Sequence, residues 1–205
     1  MKKSSLEKIT KAIESEIDAF GEVIDVSKFK ELQKQLEKFV IRDALTMTLN
    51  RWKFEEVLRR EISRARDDTH GMLGILMLDI DNFKKINDGR GHQEGDNVLQ
   101  QVIWQAEFVV EQTIGKSHRL GRWGGDEFIY IFPHKSTTDI KYIAEDIVKQ
   151  VNELYTDDVL SRLVTVSMGI APLKKSDDSK TFINRADKAM YKAKKKGGNR
   201  IEISR

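Results

Sequence analysis

The sequence predicts one α/β domain, an α+β sandwich whose mixed central β-sheet is flanked by helices, behind a separate helical segment. From about residue 43 onward, short apolar runs of strand length alternate with amphipathic stretches of helical length. Residues 73–79 are almost continuously apolar, which is typical of a strand buried on both faces. Gly124-Gly125, followed by the apolar run 128–132, predicts a β-hairpin, because hairpin turns need positive φ.

Residues 1–42 are predicted to form the N-terminal helical segment. Ser4 and Glu7 have the spacing of a capping box at its start. A second helix carries Phe29, Leu32, Leu36 and Phe39 at heptad-like spacing. Such a short stripe either packs on its own domain or pairs two chains, and both interpretations remain open on these residues alone.

The remaining elements of the domain, residues 43–205, are predicted from apolar periodicity. They are a helix over 51–66, the strand 73–79, a short helix after 81, a helix over 95–112, the hairpin 118–132, a helix over 138–154, a strand over 163–171, a helix over 182–196 and a final strand over 200–204.

Composition excludes several classes of function. The 205 residues contain no cysteine, which excludes disulfides, thiolate nucleophiles and cysteine-ligated metal sites and fits the reducing cytoplasm where we expect the protein. A formal net charge of +3 is too small to indicate a nucleic-acid partner. No apolar run reaches the ~18–20 residues that a membrane span needs, so we expect no span in this chain.

The hairpin tip carries two acids, Asp126 and Glu127, directly after the glycines. Adjacent carboxylates repel each other and have no packing role at a turn. They fit either a divalent cation, and through it a polyphosphate, or a plain solvated turn. The tip alone does not decide between these.

A second carboxylate pair, Asp79 and Asp81, ends the buried strand, where α/β proteins place ligands. The N–H groups of the short helix that follows would face the same spot. Helix capping is an alternative role for Asp81. It does not explain Asp79, whose charge would otherwise be costly at a buried strand end.

Three glycines within residues 89–95 predict a tight loop, flanked by Asn87 and Asp96. A carboxylate can accept from the N1–H and N2–H₂ groups of guanine together, and an amide supplies a donor and an acceptor in one plane. The pair therefore fits a guanine reader, although a plain loop with Asp96 as a helix cap remains an alternative.

Taken together, five segments in order resemble the GGDEF family of diguanylate cyclases over residues 43–204. They are Asp43-Ala-Leu-Thr-Met-Thr-Leu-Asn-Arg51, Asp79-Ile-Asp-Asn-Phe-Lys84 continued through Asn87-Asp88, Gly91-His92 and Gly95-Asp96, Arg119-Leu-Gly-Arg-Trp-Gly-Gly-Asp-Glu-Phe128, Val166-Ser-Met-Gly-Ile170 and Ala186-Asp-Lys-Ala-Met-Tyr191-Lys-Ala-Lys194.

The resemblance implies a palm-like nucleotidyl cyclase fold that joins two GTP molecules into cyclic di-GMP and releases two pyrophosphates. It implies that Asp79 and Asp126, with the carbonyl of Ile80, hold two Mg²⁺ or Mn²⁺ ions in each half-site. Glu127 would ligate a metal or contact the ribose. Asp126 is the position usually assigned as proton acceptor, so Asp126 and Glu127 are the implied catalytic pair.

The same resemblance assigns the substrate contacts. Asn87 and Asp96 would read guanine, with His92 nearby. The phosphates would be held by Phe83 and Lys84 together with the backbone of residues 81–83, and Lys194 would reach the γ-phosphate.

The family's chemistry needs two half-sites face to face, so a homodimer is implied. In this family a preceding helix often pairs two chains, which favours the residue 29–39 stripe as a dimer seam. Residues 1–42 are too short for a typical sensor domain, so we expect either a truncated chain or a separate upstream sensor or partner protein.

Three segments depart from the family pattern. Gly115 and His118 stand where an R-x-x-D product-inhibition site has its arginine and aspartate, so feedback inhibition is expected to be weak or to use other residues. Met47-Thr48 replaces Gly-Leu beside the nucleotide pocket, and Gly198 replaces a phosphate-binding arginine for which Lys195, Lys196 or Arg200 are possible substitutes.

Two alternatives to an active cyclase stand beside it. One is a silent GGDEF module that binds GTP or cyclic di-GMP and signals by contact, although the signature and Asp79 are intact. The other is a palm-type polymerase, which the modest charge and the lack of a basic, aromatic-rich groove segment disfavour.

Overall fold

The computed structural model describes residues 41–68, 71–155 and 164–204, together with Lys11 and Ser27. The apolar stripe from Phe29 to Phe39, and with it the predicted dimer seam, lies outside these residues. No described helix is long and apolar enough to cross a lipid bilayer.

The described part of the domain alternates strands and helices as the apolar periodicity predicts. The strands are β1 (Leu73–Ile80), β2 (Arg119–Gly124), β3 (Glu127–Pro133), β4 (Val166–Pro172) and β5 (Arg200–Ile203). The helices are α1 (Arg51–Asp67), α2 (Phe83–Arg90), α3 (His92–Ile114), α4 (Thr137–Glu153) and α5 (Ser179–Lys195).

The strands form one five-stranded mixed sheet in the order β2-β3-β1-β4-β5, which confirms the predicted fold class. All its neighbouring strands are antiparallel except β4 and β5, which run parallel. Strand β1 lies in the middle, and all eight of its residues are buried, as its unbroken apolar run predicts. The hairpin β2–β3 occupies one edge of the sheet, so its tip is free to reach beyond the end of β1.

Helices cover both faces of the sheet and divide the core into two layers. Helices α3 and α4 pack on the face that includes Leu76, Leu78, Phe128 and Tyr130. Helices α1 and α5 pack on the face that carries the intervening residues of β1 and β3, beginning with Ile75. Because successive strand residues point to opposite faces, one continuous apolar run supplies both layers.

The predicted tight loop between Asn87 and Asp96 is wrong. Helix α2 continues to Arg90, α3 begins at His92, and Gly91 alone joins them with φ 84° and ψ 162°. A positive φ breaks a helix readily at glycine, whereas Gly89 and Gly95 stay in helical conformation. Asp96 therefore lies within the second turn of α3 and is not its cap.

Candidate functional site

The end of β1 and the tip of the hairpin meet at one point. Asp79 is the cross-strand partner of Glu127 in the antiparallel pairing of β1 with β3. Gly124 pairs with Glu127, so Gly125 and Asp126 form a two-residue turn, and Gly125 takes φ 51°. The fold thus brings together the two carboxylate groups that lie 47 positions apart in the sequence (126 − 79).

Asp79 is buried at this point, with an exposed fraction of 2%. Its Oδ2 accepts from the Lys194 Nζ at 2.5 Å. Its Oδ1 is buried and has no hydrogen-bond partner among the described residues. A buried carboxylate oxygen without a partner is costly, so the arrangement fits a group that brings positive charge to Asp79.

Burial favours protonation of Asp79 when no cation is bound, as the direction of its pKa shift shows. Burial raises the pKa of Asp79 to about 7, the hydrogen bond from Lys194 opposes this rise, and the negative charge of Asp126 adds to it. Burial also raises the pKa of Glu127, and the carboxylate of Asp187 on α5 adds to that rise. Carboxylates crowded together at the ends of neighbouring strands repel each other, and a bound divalent cation relieves this repulsion.

The described residues contain no group of three His, Cys, Asp or Glu side chains close enough to form a metal site by themselves. The predicted ligand set needs only two carboxylates, Asp79 and Asp126, because its further ligand is the backbone carbonyl of Ile80. The unpartnered Asp79 Oδ1 and the oxygen-only donor set fit Mg²⁺ or Mn²⁺.

Asp81 has a structural role that differs from the helix cap considered above. Its two carboxylate oxygens accept from the hydroxyls of Ser167 and Thr165, both at 2.7 Å, and from the backbone N–H of Asn199 at 2.9 Å. Helix α2 instead begins after Asn82, whose φ is 58° and whose side chain makes no capping bond. Asp81 therefore ties β1 to β4 and to the turn before β5.

Gly198, one of the departures from the family pattern, lies against the Asp81 carboxylate. Its φ is 73°, and a β-carbon built on it would lie 2.9 Å from Asp81 Oδ2. Two of the three residues suggested as substitutes for the missing arginine already have local partners. Arg200 Nε donates to the Gly198 carbonyl at 3.1 Å, and Lys196 pairs with Glu202 at 2.6 Å.

The predicted guanine-reading residues lie on the two helices that meet at Gly91. Asn87 is half-buried near the end of α2, and Asp96 is half-buried in α3. The side chain of Asn87 packs on Gly95, the residue before Asp96, because a β-carbon built there would fall 1.8 Å from Asn87 Oδ1. His92 is the exposed first residue of α3.

The predicted phosphate-binding residues begin α2. Phe83 is half-buried and packs against the core, while Lys84 is exposed. Lys194, which was expected at the γ-phosphate, is instead paired with Asp79 and is 38% exposed. Its ammonium therefore brings positive charge to one oxygen of the carboxylate that would hold the predicted metal, and leaves Oδ1 without a partner among the described residues.

Two contacts of the hairpin were not anticipated from the sequence. Arg122 donates both to Asp43 and to the Gly125 carbonyl, and the Arg51 guanidinium lies 4.0 Å from the centre of the Trp123 ring. Arg51 and Arg122 belong to two of the segments that carry the family resemblance. No local pattern indicates, however, that Arg51 stacks on the hairpin or that Arg122 reaches Asp43.

The departure at Gly115 and His118 has a structural counterpart. His118 is only 7% exposed, its Nδ1 lies 3.1 Å from the Gly115 carbonyl, and its Nε2 bonds to the carboxylate of Glu107. A cavity of about 760 Å³ lies beside it, between residues 42–49, α3 and the start of β2. None of the predicted catalytic or substrate-binding residues lines this cavity.

Comparison with known proteins gives consistent matches. The family model described as diguanylate cyclase, GGDEF domain, matches residues 40–200. Diguanylate cyclase DosC of Escherichia coli is 33% identical over 181 residues, which are 87% of this chain and 38% of DosC. The chain thus spans well under half of that relative's length.

Two crystal structures are similar over most of the chain. The coiled coil and GGDEF domain of DgcB from Caulobacter crescentus, in complex with c-di-GMP, gives a TM-score of 0.78 at 29% identity and covers 87% of this chain and 93% of its own. Diguanylate cyclase SiaD from Pseudomonas aeruginosa, in complex with its activator SiaC, gives a TM-score of 0.73 at 30% identity, with 87% and 67% covered.

Proposed function

The chain belongs to the GGDEF family of diguanylate cyclases, and we propose that it is an active member that condenses two GTP molecules into cyclic di-GMP and two pyrophosphates. The observation that carries this proposal is Asp79: a buried carboxylate with one unpartnered oxygen, paired across β1 and β3 with the acid tip of the hairpin. A silent module need not retain this group, whereas here Asp79 and the Gly124-Gly125-Asp126-Glu127 signature are all intact. GTP is a cytoplasmic metabolite, so the cytoplasm is the proposed place of action.

Asp79, Asp126 and the Ile80 carbonyl would hold two Mg²⁺ or Mn²⁺ ions, with Glu127 as a further ligand or a ribose contact. Bound there, the ions supply charge that polarises the α-phosphate and lowers the pKa of the attacking 3′-hydroxyl. Asp126 is the proposed acceptor of the proton of that hydroxyl, directly or through water. The hairpin turn holds Asp126 at the free edge of the site, where a second nucleotide has access.

Lys194 has two states in this proposal. Without nucleotide it pairs with Asp79 at 2.5 Å and opposes the rise of the Asp79 pKa. With metal and GTP bound, its positive charge at Asp79 becomes redundant, and its ammonium moves to the γ-phosphate. A side chain that is 38% exposed has room for this movement.

The nucleotide is oriented by α2 and the start of α3. Asn87 and Asp96 read the guanine, and His92 at the first position of α3 stands beside them. Phe83, Lys84 and the backbone of residues 81–83 receive the β- and γ-phosphates at the N-terminal end of α2. The N–H groups of the first helical turn have no acceptor within the helix and, with the helix dipole, favour anions, whereas the N–H of Asp81 donates to the Thr165 carbonyl at 2.8 Å. The retained carboxylate of Asp96 favours GTP over ATP.

One domain supplies one half-site, so the reaction needs two chains. We propose that the residue 29–39 stripe pairs two chains and brings their hairpin tips face to face. An upstream sensor or partner protein would act on that pairing.

A product assay over a dilution series tests chemistry and pairing together. With GTP and Mg²⁺, purified protein is expected to form cyclic di-GMP, and the rate per chain is expected to rise with protein concentration. Measurable GTP binding without product at high micromolar protein would favour the silent module. A rate per chain that stays constant on dilution to nanomolar protein would contradict assembly of the site from two chains.

A further inference from the structure

Gly95 lies under the side chain of Asn87 with no space between them. A β-carbon built on Gly95 would lie 1.8 Å from Oδ1, 2.8 Å from Cγ and 3.4 Å from Nδ2 of Asn87. Real side chains do not tolerate the first two distances, so any residue with a β-carbon at 95 displaces the Asn87 amide. Gly95 is itself buried, which leaves the side chain of Asn87 as the part that moves.

The position of this contact links it to nucleotide recognition. Gly95 immediately precedes Asp96, so the Asn87 amide rests on the same turn of α3 that presents the Asp96 carboxylate. The backbone of Asn87 is held as well, because its carbonyl accepts from the Gly91 N–H at 2.8 Å. With the backbone held on one side and the amide in contact with Gly95 on the other, the Asn87 side chain has a defined orientation beside Asp96.

We propose that Gly95 is a positioning residue for the nucleotide base: its missing side chain seats the Asn87 amide beside Asp96, so that an amide and a carboxylate meet one guanine edge. This inference rests on the proposed function, since it assigns Asn87 and Asp96 to the guanine. Helix stability does not explain a glycine here, because glycine is less favourable than alanine within a helix. The close contact with Asn87 does explain it.

The chain offers a matched control at Gly89. Gly89 is also a helical glycine, in α2, and a β-carbon built on it meets no atom of the described residues within 4 Å. Gly89→Ala is therefore expected to raise the melting temperature and to leave nucleotide affinity unchanged. Gly95→Ala makes the same chemical change at a position where the Asn87 side chain already occupies the space of the β-carbon.

Affinity for 3′-deoxy-GTP, which lacks the attacking hydroxyl, measures binding without turnover. Loss of one well-placed hydrogen-bonding amide is worth roughly tenfold in affinity. We expect Gly95→Ala to weaken binding roughly tenfold, as Asn87→Ala does, and the double variant to be no weaker than Asn87→Ala alone. In turnover of GTP, KM is expected to rise by the same factor while kcat is retained, because Asp79 and Asp126 are untouched.

Melting temperatures of the same single and double variants give a second double-mutant cycle, which does not depend on activity. In the wild-type background, Gly95→Ala is expected to give less stabilisation than Gly89→Ala, since the gain in helix propensity is offset by displacement of Asn87. In the Asn87→Ala background, the two substitutions are expected to raise the melting temperature equally.

Three outcomes separate this inference from the proposed function. If the wild type binds 3′-deoxy-GTP and Gly95→Ala binds equally well, the positioning role is wrong and the proposed function stands. If Gly95→Ala adds its own loss to that of Asn87→Ala, the role does not act through Asn87. If the wild type binds no 3′-deoxy-GTP, the proposed function fails and the base-positioning role with it, while the melting cycle still reports whether Gly95 and Asn87 are coupled.

Discussion

Arg122 joins Asp43 to the hairpin tip. Its Nη1 donates to Asp43 Oδ1 at 3.0 Å, and its Nε and Nη2 donate to the Gly125 carbonyl at 2.9 and 2.6 Å. One guanidinium thus connects the start of the domain to the turn that carries Asp126. Both charged side chains are mostly shielded from solvent, with exposed fractions of 19% and 23%.

Asp43 is itself fixed by the turn that follows it. Its Oδ1 accepts from the backbone N–H groups of Leu45 and Thr46 at 3.1 and 2.9 Å. Burial tends to raise the pKa of Asp43, but the hydrogen bonds from Thr46 and the charge of Arg122 outweigh it and hold the pKa below its usual value. Asp43 therefore stays ionised near neutral pH and keeps Arg122 oriented.

We expect Arg122→Lys to lower kcat by about ten- to a hundredfold. A lysine ammonium cannot make the forked contact to both Asp43 and the Gly125 carbonyl, so the tip would lose the orientation that places Asp126. The measurement is the initial rate of cyclic di-GMP formation at saturating GTP, beside the melting temperature.

Arg119→Lys is the matched control, because Arg119 lies on the same strand, is exposed and donates to the carbonyl of His118, away from the tip. It is expected to keep nearly full activity. Equal losses in the two variants would show that the effect is a general weakening of β2 and not an orientation of the tip.

Asp79→Asn is expected to stabilise the fold above neutral pH while removing activity. The pKa of Asp79 is raised from 3.8 to about 7 in the folded chain, so between these pH values the folded protein holds a proton that the unfolded chain lacks. Through this group, the free energy of unfolding falls as pH rises from about 4 to about 7, and the loss is complete above that range.

Melting curves of Asp79→Asn and wild type, recorded in EDTA from pH 4 to 8.5, measure this difference. The two curves are expected to converge at the acid end, with the variant more stable by several degrees at the alkaline end. Added Mg²⁺ should raise the melting temperature of the wild type at pH 8 and leave the variant unchanged. A variant that is less stable than wild type at pH 8 would contradict the burial cost assigned to Asp79.

Asp126→Ala is expected to lower turnover by about a thousandfold or more without unfolding the protein, since it removes a proposed metal ligand and proton acceptor from a solvent-facing turn. Circular dichroism and the melting temperature check the fold, and product formation checks the chemistry. Asp146→Ala, an exposed acid in the middle of α4, is the control and should keep full activity. Substantial turnover by Asp126→Ala would overturn the metal assignment.

The sequence predicted this fold well because its strands carry distinct patterns. The run from Leu73 to Leu78 has the composition of a fully buried strand, and Gly125 marks a turn that needs positive φ. The junction at Gly91 was missed because a cluster of glycines normally indicates a loop. Gly89 and Gly95 instead lie within helices, and of the three only Gly91 has a positive φ.

Candidate site residues could be predicted from the sequence only where a short segment by itself indicated their chemistry. Asp79 and Asp126 could be predicted because each is a charged residue with no packing role in its segment. The bonds of Asp81 to Ser167 and Asn199, and the contact of Arg122 with Asp43, join positions 79 to 118 residues apart. Such pairings depend on strand order, which no local pattern in a single sequence specifies.

Product inhibition through the family's usual site is expected to be weak in this chain, and the backbone and packing at Gly115 and His118 support this expectation. Gly115 has φ 64° and ψ −152°, a conformation that side chains rarely adopt, so an arginine there would strain the turn. His118 is buried against Glu107, so an aspartate at 118 would place two carboxylates together. His118→Asp is therefore expected to lower the melting temperature by several degrees without creating an inhibitory site.

Initial rates with added cyclic di-GMP test this at two GTP concentrations. Product that competes at the substrate site is displaced by saturating GTP, whereas binding at a separate inhibitory site is not. We expect any inhibition of the wild type to disappear at saturating GTP, and His118→Asp to behave in the same way. Inhibition of the wild type that persists at saturating GTP would mean that residues other than the missing arginine and aspartate form a separate product site.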